Sequence, residues 1–349
     1  MRAGMVLQVL SRHYRVSLHV VQLYGPYDAP VPAAIADLCS RMTIVSPVRA
    51  IRAFDGVVFD IVHVFRIAML PFARAYFGLP GQRPRWHLDL DDIESISRAR
   101  LAELYRLNGN DALARWEQEQ AKRAVATEAD ALRNFDRIYV CSEKDEAVLR
   151  SRSHAELRVL PNALPPAGAL QPKRGSETFT FLFVGTLGYY PNEDAIVYFC
   201  TEVMPLIQRF TQQQIEVAIV GGGATPVIRR MADLSAVRLI GPVPDVAPWY
   251  AEADAVIVPL RAGGGTRIKV LEAFRYARPV VSTSLGVEGI AAQPEEHVLV
   301  GDTPIALARQ CLRLMADPAL AERLTRCASA LFQRAYSMDA VAARFSAWQ

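Results

Sequence analysis

The chain has 349 residues, enough for two domains of ordinary size, and its 51% hydrophobic and 21% charged residues are the balance of a globular protein. A net charge of +3 is too small to argue for a nucleic-acid partner. Five scattered cysteines show neither zinc-ligand spacing nor a disulfide framework, and no apolar run reaches the roughly 18–20 residues of a membrane-spanning helix. The expectation is a cytoplasmic protein whose cysteines are reduced core thiols.

In chain order, residues 2–11 read as a helix and residues 16–23 as a strand. Further apolar runs of strand length lie at 43–45, 60–64, 86–90, 137–141 and 157–160. Residues 65–86 interleave Arg66, Arg74, Arg83 and Arg85 with Phe65, Phe72, Tyr76, Phe77 and Trp86. Core packing beneath surface arginines and contact with an anionic membrane both fit that pattern. Asp89, Asp91, Asp92 and Glu94 cluster at a strand end, where helix capping and a magnesium ion are both open readings. His63 is either structural or a site residue. Residues 95–135 are a long helical stretch broken at Asn108-Gly109. Ser142 and Asp145 form a capping box for the next helix.

Pro161, Pro165 and Pro166 forbid regular structure and open a polar linker. A second alternation follows, with strands at 179–184, 215–220, 237–240, 255–259, 280–282 and 297–300 and a helical tail from 318. This strand and helix rhythm predicts an α/β protein with parallel sheets. Gly185-Thr186-Leu187-Gly188 is a glycine turn at a strand's carboxyl end, where open α/β sheets bind ligands; a turn without a ligand fits equally well. Gly221, Gly222 and Gly223 lack the spacing of a dinucleotide fingerprint and read as a tight turn.

The strongest pattern is residues 254–290. An apolar strand runs into Gly263, Gly264 and Gly265, then Thr266 as the expected N-cap of a helix over 267–276. Free N–H groups and the positive dipole end at such a junction suit an anion, most often phosphate. Arg267 and Lys269 sit in the first turn, where the dipole disfavours cations unless an anion is bound. Glu272 lies one turn on, placed to accept from two ribose hydroxyls; an exposed ion pair with Lys269 is the plainer alternative. Val270, Leu271, Phe274 and Ala277 should form the buried stripe.

This segment resembles the nucleotide-sugar site of glycosyltransferase family 4, in the branch that reads GGGTR-x-K-x-LEA. The likeness rests on Pro259, Leu260, Arg261, residues 263–267, Lys269, residues 271–273 and 279–283, Gly286, Glu288 and Gly289. The resemblance implies a GT-B fold, two Rossmann-like doubly wound domains facing across a cleft. It implies an acceptor-binding domain over 1–163, a linker over 164–177, a nucleotide-sugar domain over 178–335 and a helix over 336–349 that returns to the first. The implied activity is a retaining, metal-independent transferase of hexosyl type. It moves sugar from a nucleotide-diphosphate sugar to a sugar or lipid-linked acceptor, in bacterial polysaccharide or glycoconjugate synthesis, with no cofactor and with peripheral contact to the inner face of the plasma membrane.

By the same likeness Arg267 and Lys269 stabilise charge on the diphosphate, Glu272 holds the ribose, and Gly263, Gly264, Gly265 and Thr266 hold sugar hydroxyls. Gly185 and Thr186 line the donor pocket from the other side, and Val243 lies in the loop over the nucleobase. Asp91 stands where relatives have histidine and would accept from a sugar hydroxyl. Relatives often have arginine and lysine at Thr186 and Asn192, and a glutamate at Gly264. The first strand and glycine loop of the family's first domain have no counterpart ahead of Arg2. A truncated start, a less stable first domain and weak activity are therefore expected. The rival readings are a GT-B relative that binds nucleotide or a partner without turnover, and a GT-B sugar-nucleotide epimerase.

Overall fold

A computed structural model describes residues 2–23, 33–47, 51–79, 81, 83–167 and 177–348. Residues 168–176, most of the expected linker, lie outside the described residues. The chain divides into two compact units. The first holds Met1–Ser95, Gln120–Ala163 and Val341–Gln349; the second holds Ile96–Glu119 and Leu164–Ala340. Residues 96–119, grouped by sequence with the first half, thus belong to the second unit.

The first unit begins with α1 (Arg2–Leu10), β1 (Ser17–Val21), α2 (Ala33–Ala36), β2 (Arg41–Val45), β3 (Ile61–Phe65), α3 (Leu70–Ala73) and β4 (Arg85–Leu90). In the chain, helices α4 (Glu94–Leu107) and α5 (Asp111–Asn134) follow, of which residues 96–119 belong to the second unit, and the first unit continues with β5 (Arg137–Val140), α6 (Glu143–Arg150) and β6 (Glu156–Val159). The α4–α5 break falls at Asn108-Gly109, where Gly109 takes φ +74°. Ser142 caps α6 by accepting from the Asp145 amide at 3.1 Å. Strands β3-β4-β5-β6 form one parallel sheet, and β1 and β2 form a separate parallel pair. Phe345 packs against Tyr139 within this unit, with ring centroids 6.0 Å apart.

The second unit has β7 (Phe179–Val184), α7 (Tyr190–Tyr198), α8 (Met204–Phe210), β8 (Ile215–Val220), α9 (Pro226–Met231), β9 (Val237–Gly241), α10 (Ala247–Glu252) and β10 (Ala255–Val258). It continues through α11 (Ile268–Arg275), β11 (Val280–Ser282), β12 (Leu299–Val300), α12 (Pro304–Ala316) and α13 (Pro318–Ala335), and the chain ends in α14 (Met338–Ser346), whose residues from Val341 on belong to the first unit. All pairings in its sheet are parallel, in the order β12-β11-β10-β7-β8-β9. The chain builds outward from β7 to β9, then returns to the other side of β7 at β10. The junction of β7 and β10 is therefore the topological switch point, where open sheets leave a crevice at their carboxyl ends. Val256, Val258, Phe181 and Phe183 are fully buried, as central strands covered on both faces require.

Two details of α11 differ from expectation. The helix starts at Ile268 with Arg267 at the N-cap, so Thr266 is not the cap, and the Thr266 hydroxyl is buried without a hydrogen-bond partner. Ala277 is exposed, and Ala273 takes its expected place in the buried stripe. The helix closes with Ala277 at φ +52° and the Arg278 amide on the Ala273 carbonyl at 2.8 Å. This left-handed closing position favours glycine. Ala277→Gly is expected to stabilise the second unit by about 0.5–1 kcal/mol, read as a shift in urea midpoint at constant slope. A fall in the midpoint would mean that the left-handed backbone is not strained there.

Candidate functional site

The switch point brings two glycine turns together. Gly185 follows β7 and the 263–265 run follows β10. A side chain at Gly185 would come within 2.9 Å of the Asn192 amide and 3.0 Å of the Lys269 ammonium, so only glycine leaves both in place. Lys269 donates to Asn192 Oδ1 at 2.7 Å, and its Nζ lies 3.9 Å from the centroid of Phe183. Asn192 Nδ2 in turn donates to the Thr186 carbonyl at 2.9 Å. Lys269 on α11 is thus fixed against the turn after β7 by a neutral side chain. Burial, with the nearby Arg267 charge, pushes the Lys269 pKa down to about 7; Glu272 opposes that shift.

Arg267 is buried, and its Nη1 donates to the carbonyls of Gly264 and, at 3.0 Å, Gly265. Its guanidinium lies against Gly263, where a β-carbon would sit 3.5 Å from Nη2. Each glycine turn therefore holds one cation, and both cations belong to the start of α11. Two side-chain cations beside a helix terminus are an arrangement that can receive an anion.

Glu272 faces the same side of α11 and accepts from the Tyr250 hydroxyl at 2.9 Å. Burial raises its pKa, while Tyr250, Lys269 and Arg275 lower it. Tyr250 is buried and stacks on Tyr276 at 4.8 Å. Val243 is half-buried in the loop after β9 and packs on the core.

Some contacts had no sequence signal because their partners are far apart in the chain. Arg261 pairs with buried Asp194 through two hydrogen bonds of 2.9 and 2.6 Å and lies 4.6 Å from the Tyr198 ring. Asn108, at the end of the α4 turn, donates to Asp194 at 2.7 Å. Arg100 on α4 donates to the Gly263 carbonyl at 3.2 Å and pairs with Glu288 at 2.7 Å. Tyr105 stacks on Tyr190 at 4.3 Å. Residues 96–119 thus bear on the glycine loop and on α7.

Among the predicted site residues, Gly185, Thr186, Val243, residues 263–267, Lys269 and Glu272 all lie in the second unit. Asp91 lies in the first, and its carboxylate pairs with Arg66 and approaches Arg2 at 3.9 Å. Asp89 is fully buried and bound by Arg2 at 2.7 and 2.9 Å. Guanidinium groups thus stand where a metal ion would meet these two carboxylates. The ring nitrogens of His63 are buried without hydrogen-bond partners. In the basic aromatic segment, Phe77 stays exposed and stacks on Trp86 at 4.3 Å. Among the described residues, no helix is long and apolar enough to cross a membrane.

Residues 178–317 match the sequence model of the family described as Glycosyl transferases group 1. No curated protein sequence matches the chain. Among solved structures, the chain is similar to HepE of Anabaena, solved with UDP and glucose, at 13% identity and a TM-score of 0.67 over 99% of this chain and 94% of that one. It is similar to WaaG, a glycosyltransferase of lipopolysaccharide biosynthesis, at 14% identity and 0.62 over 99% and 93%. It is also similar to sucrose-phosphate synthase of Thermosynechococcus elongatus, at 19% identity and 0.61 over 83% and 72%. At these identities the likeness speaks for the fold. The chain therefore has the GT-B fold, and its segment 178–317 carries the sequence pattern of the group 1 glycosyl transferases.

Proposed function

We propose that the protein is a glycosyltransferase that takes its sugar from a nucleotide-diphosphate sugar and passes it to an acceptor hydroxyl with retention of configuration. The observation that carries this reading is the pair of cations, Arg267 and Lys269, each set against a glycine turn at the switch point. Cleavage of the bond from sugar to phosphate builds negative charge on the departing diphosphate. Arg267, Lys269 and the α11 terminus would stabilise that charge. Glu272, oriented by Tyr250, would hold the ribose. The amides of residues 263–266 would face the sugar. With side-chain cations at the diphosphate, transfer would need no metal. A sugar or lipid-linked acceptor, a site of action at the cytoplasmic membrane face and a role in polysaccharide or glycoconjugate synthesis belong to the same proposal.

A second reading, nucleotide binding without turnover, draws support from Asp91. Its carboxylate is engaged by Arg66 in the first unit, so it stands less ready to accept from a sugar.

Calorimetry of the whole chain with UDP, GDP and ADP sugars tests the donor site. Binding of one of them is expected, in EDTA as well as in magnesium. Arg267→Ala should weaken that ligand by roughly 1.5–3 kcal/mol while leaving the bare nucleoside little changed. No binding by folded protein, or equal losses for nucleoside and diphosphate, would remove the phosphate from Arg267. Transfer to water or an acceptor, measured on the same protein, separates the two readings.

A further inference from the structure

We infer that Arg100 is a positioning residue of the donor site: by holding the Gly263 carbonyl it sets the peptide whose amide, that of Gly264, meets the transferred sugar. The inference rests on the donor-site reading above. Arg100, Gly263 and Glu288 all belong to the second unit, so the contact is internal to it.

A trans peptide points its C=O and its N–H in opposite directions, and no peptide bond among the described residues is cis. The partner of each carbonyl in the glycine run therefore decides where the next amide faces. Arg267 Nη1 donates to the carbonyls of Gly264 and Gly265. Arg100 Nη1 donates to that of Gly263. Two guanidinium groups thus draw all three carbonyls, and the amides of Gly264, Gly265 and Thr266 turn the other way. Among the described residues these three amides make no hydrogen bond. Beside them the Thr266 hydroxyl is buried, also without a partner. Successive open donors of this kind suit the oxygen atoms of a ligand.

Arg267 holds its two carbonyls from within the loop. The 263–264 peptide depends instead on a side chain 163 positions away. Gly263 takes φ +113° and has no β-carbon to restrict it, so that peptide rotates readily unless something outside the loop anchors it. Arg100 is a firm anchor. Its Nη1 also pairs with Glu288 at 2.7 Å. Glu288 follows the tight turn after β11, where a β-carbon at Gly286 would sit 2.3 Å from the Val258 carbonyl oxygen. Helix α4 is seated by buried Ala102 and Leu104, by Tyr105 on Tyr190 and by Asn108 on Asp194. The Gly264 amide is thereby oriented before any ligand arrives, which spares the cost of ordering it on binding.

Calorimetry on the whole chain tests this. For whichever of the UDP, GDP and ADP sugars binds, its affinity is compared with that of the matching nucleoside diphosphate. Arg100→Met keeps the apolar stem and removes the donor. It should weaken the nucleotide sugar about three- to tenfold, the range of one net hydrogen bond, and the nucleoside diphosphate less than about twofold. Arg100→Lys, which keeps a charged donor, should recover part of that loss. Should Arg100→Met unfold the protein, Glu288→Gln retains Arg100 but removes the charge that anchors it, and the same selectivity for the sugar is expected. Equal losses for nucleotide sugar and nucleoside diphosphate would make Arg100 a general brace and overturn the inference. A lysine variant no better than the methionine one would also overturn it. So would unchanged sugar affinity in every variant, with the donor reading left standing. No binding by the folded, unaltered chain would instead remove the donor site itself, and this inference with it.

Discussion

Replacing Gly221 by alanine is expected to destabilise the second unit by about 3 kcal/mol or more. A β-carbon there would sit 1.7 Å from the Gly185 carbonyl oxygen, on a residue with φ +150°. Neither atom can retreat cheaply. The Gly185 amide is tied to the Val220 carbonyl at 3.0 Å, and the Gly221 amide to the Gly241 carbonyl at 2.8 Å. The loops after β7 and β8 are thus pressed backbone against backbone, with the end of β9 beside them. The melting temperature should drop by roughly 6–12 °C, and Gly185, which seats Lys269, should move with it. Gly222→Ala is the internal comparison, because its β-carbon would meet only Pro242 at an ordinary 3.6 Å. Similar melting temperatures for the two variants would show that the loops are not packed this closely.

Nucleotide-sugar binding should weaken as pH rises above about 7, by up to tenfold per pH unit. Its source is Lys269, whose pKa falls from 10.5 to about 7 through burial and the neighbouring Arg267. Without ligand, the unfolded chain holds more protons at this group between those two values. Stability contributed by Lys269 therefore increases with pH across that window and is least below it. A bound diphosphate reverses the preference, since it favours the ammonium form. Binding then takes up a proton wherever the free lysine is neutral, and affinity declines with pH until the lysine of the complex also titrates. Calorimetry at pH 8 in two buffers of different ionisation heat measures that uptake directly. Lys269→Arg, which keeps its charge across this range, should remove it. Proton uptake that persists unchanged in the arginine variant would assign the titration to another group.

Much of the second unit is legible in the sequence. Six apolar runs alternate with helices there, and each of them contains an observed strand, because buried parallel strands need continuous Val, Ile and Phe. The glycine loop with Arg267, Lys269 and Glu272 is local, so its composition and spacing speak for themselves. Thr266 shows the limit of that local reading. It has the right chemistry for an N-cap, yet Arg267 takes the position and turns its guanidinium onto the loop carbonyls.

The sequence by itself determined the alternation of strand and helix, the interruption near Pro161 and the glycine loop with its two following cations after β10. These depend on residues near one another in the chain. Tertiary structure alone decided the partners of that segment: Asn192 for Lys269, Tyr250 for Glu272 and Arg100 for the Gly263 carbonyl. Residues that meet across tens to hundreds of positions leave no periodicity to find. Tertiary structure also decided that Asp91 meets Arg66 and that, among the described residues, β1 pairs with β2 and β3 with β4. A strand's own residues announce that it will pair, but the neighbour it finds depends on which other strands fold beside it.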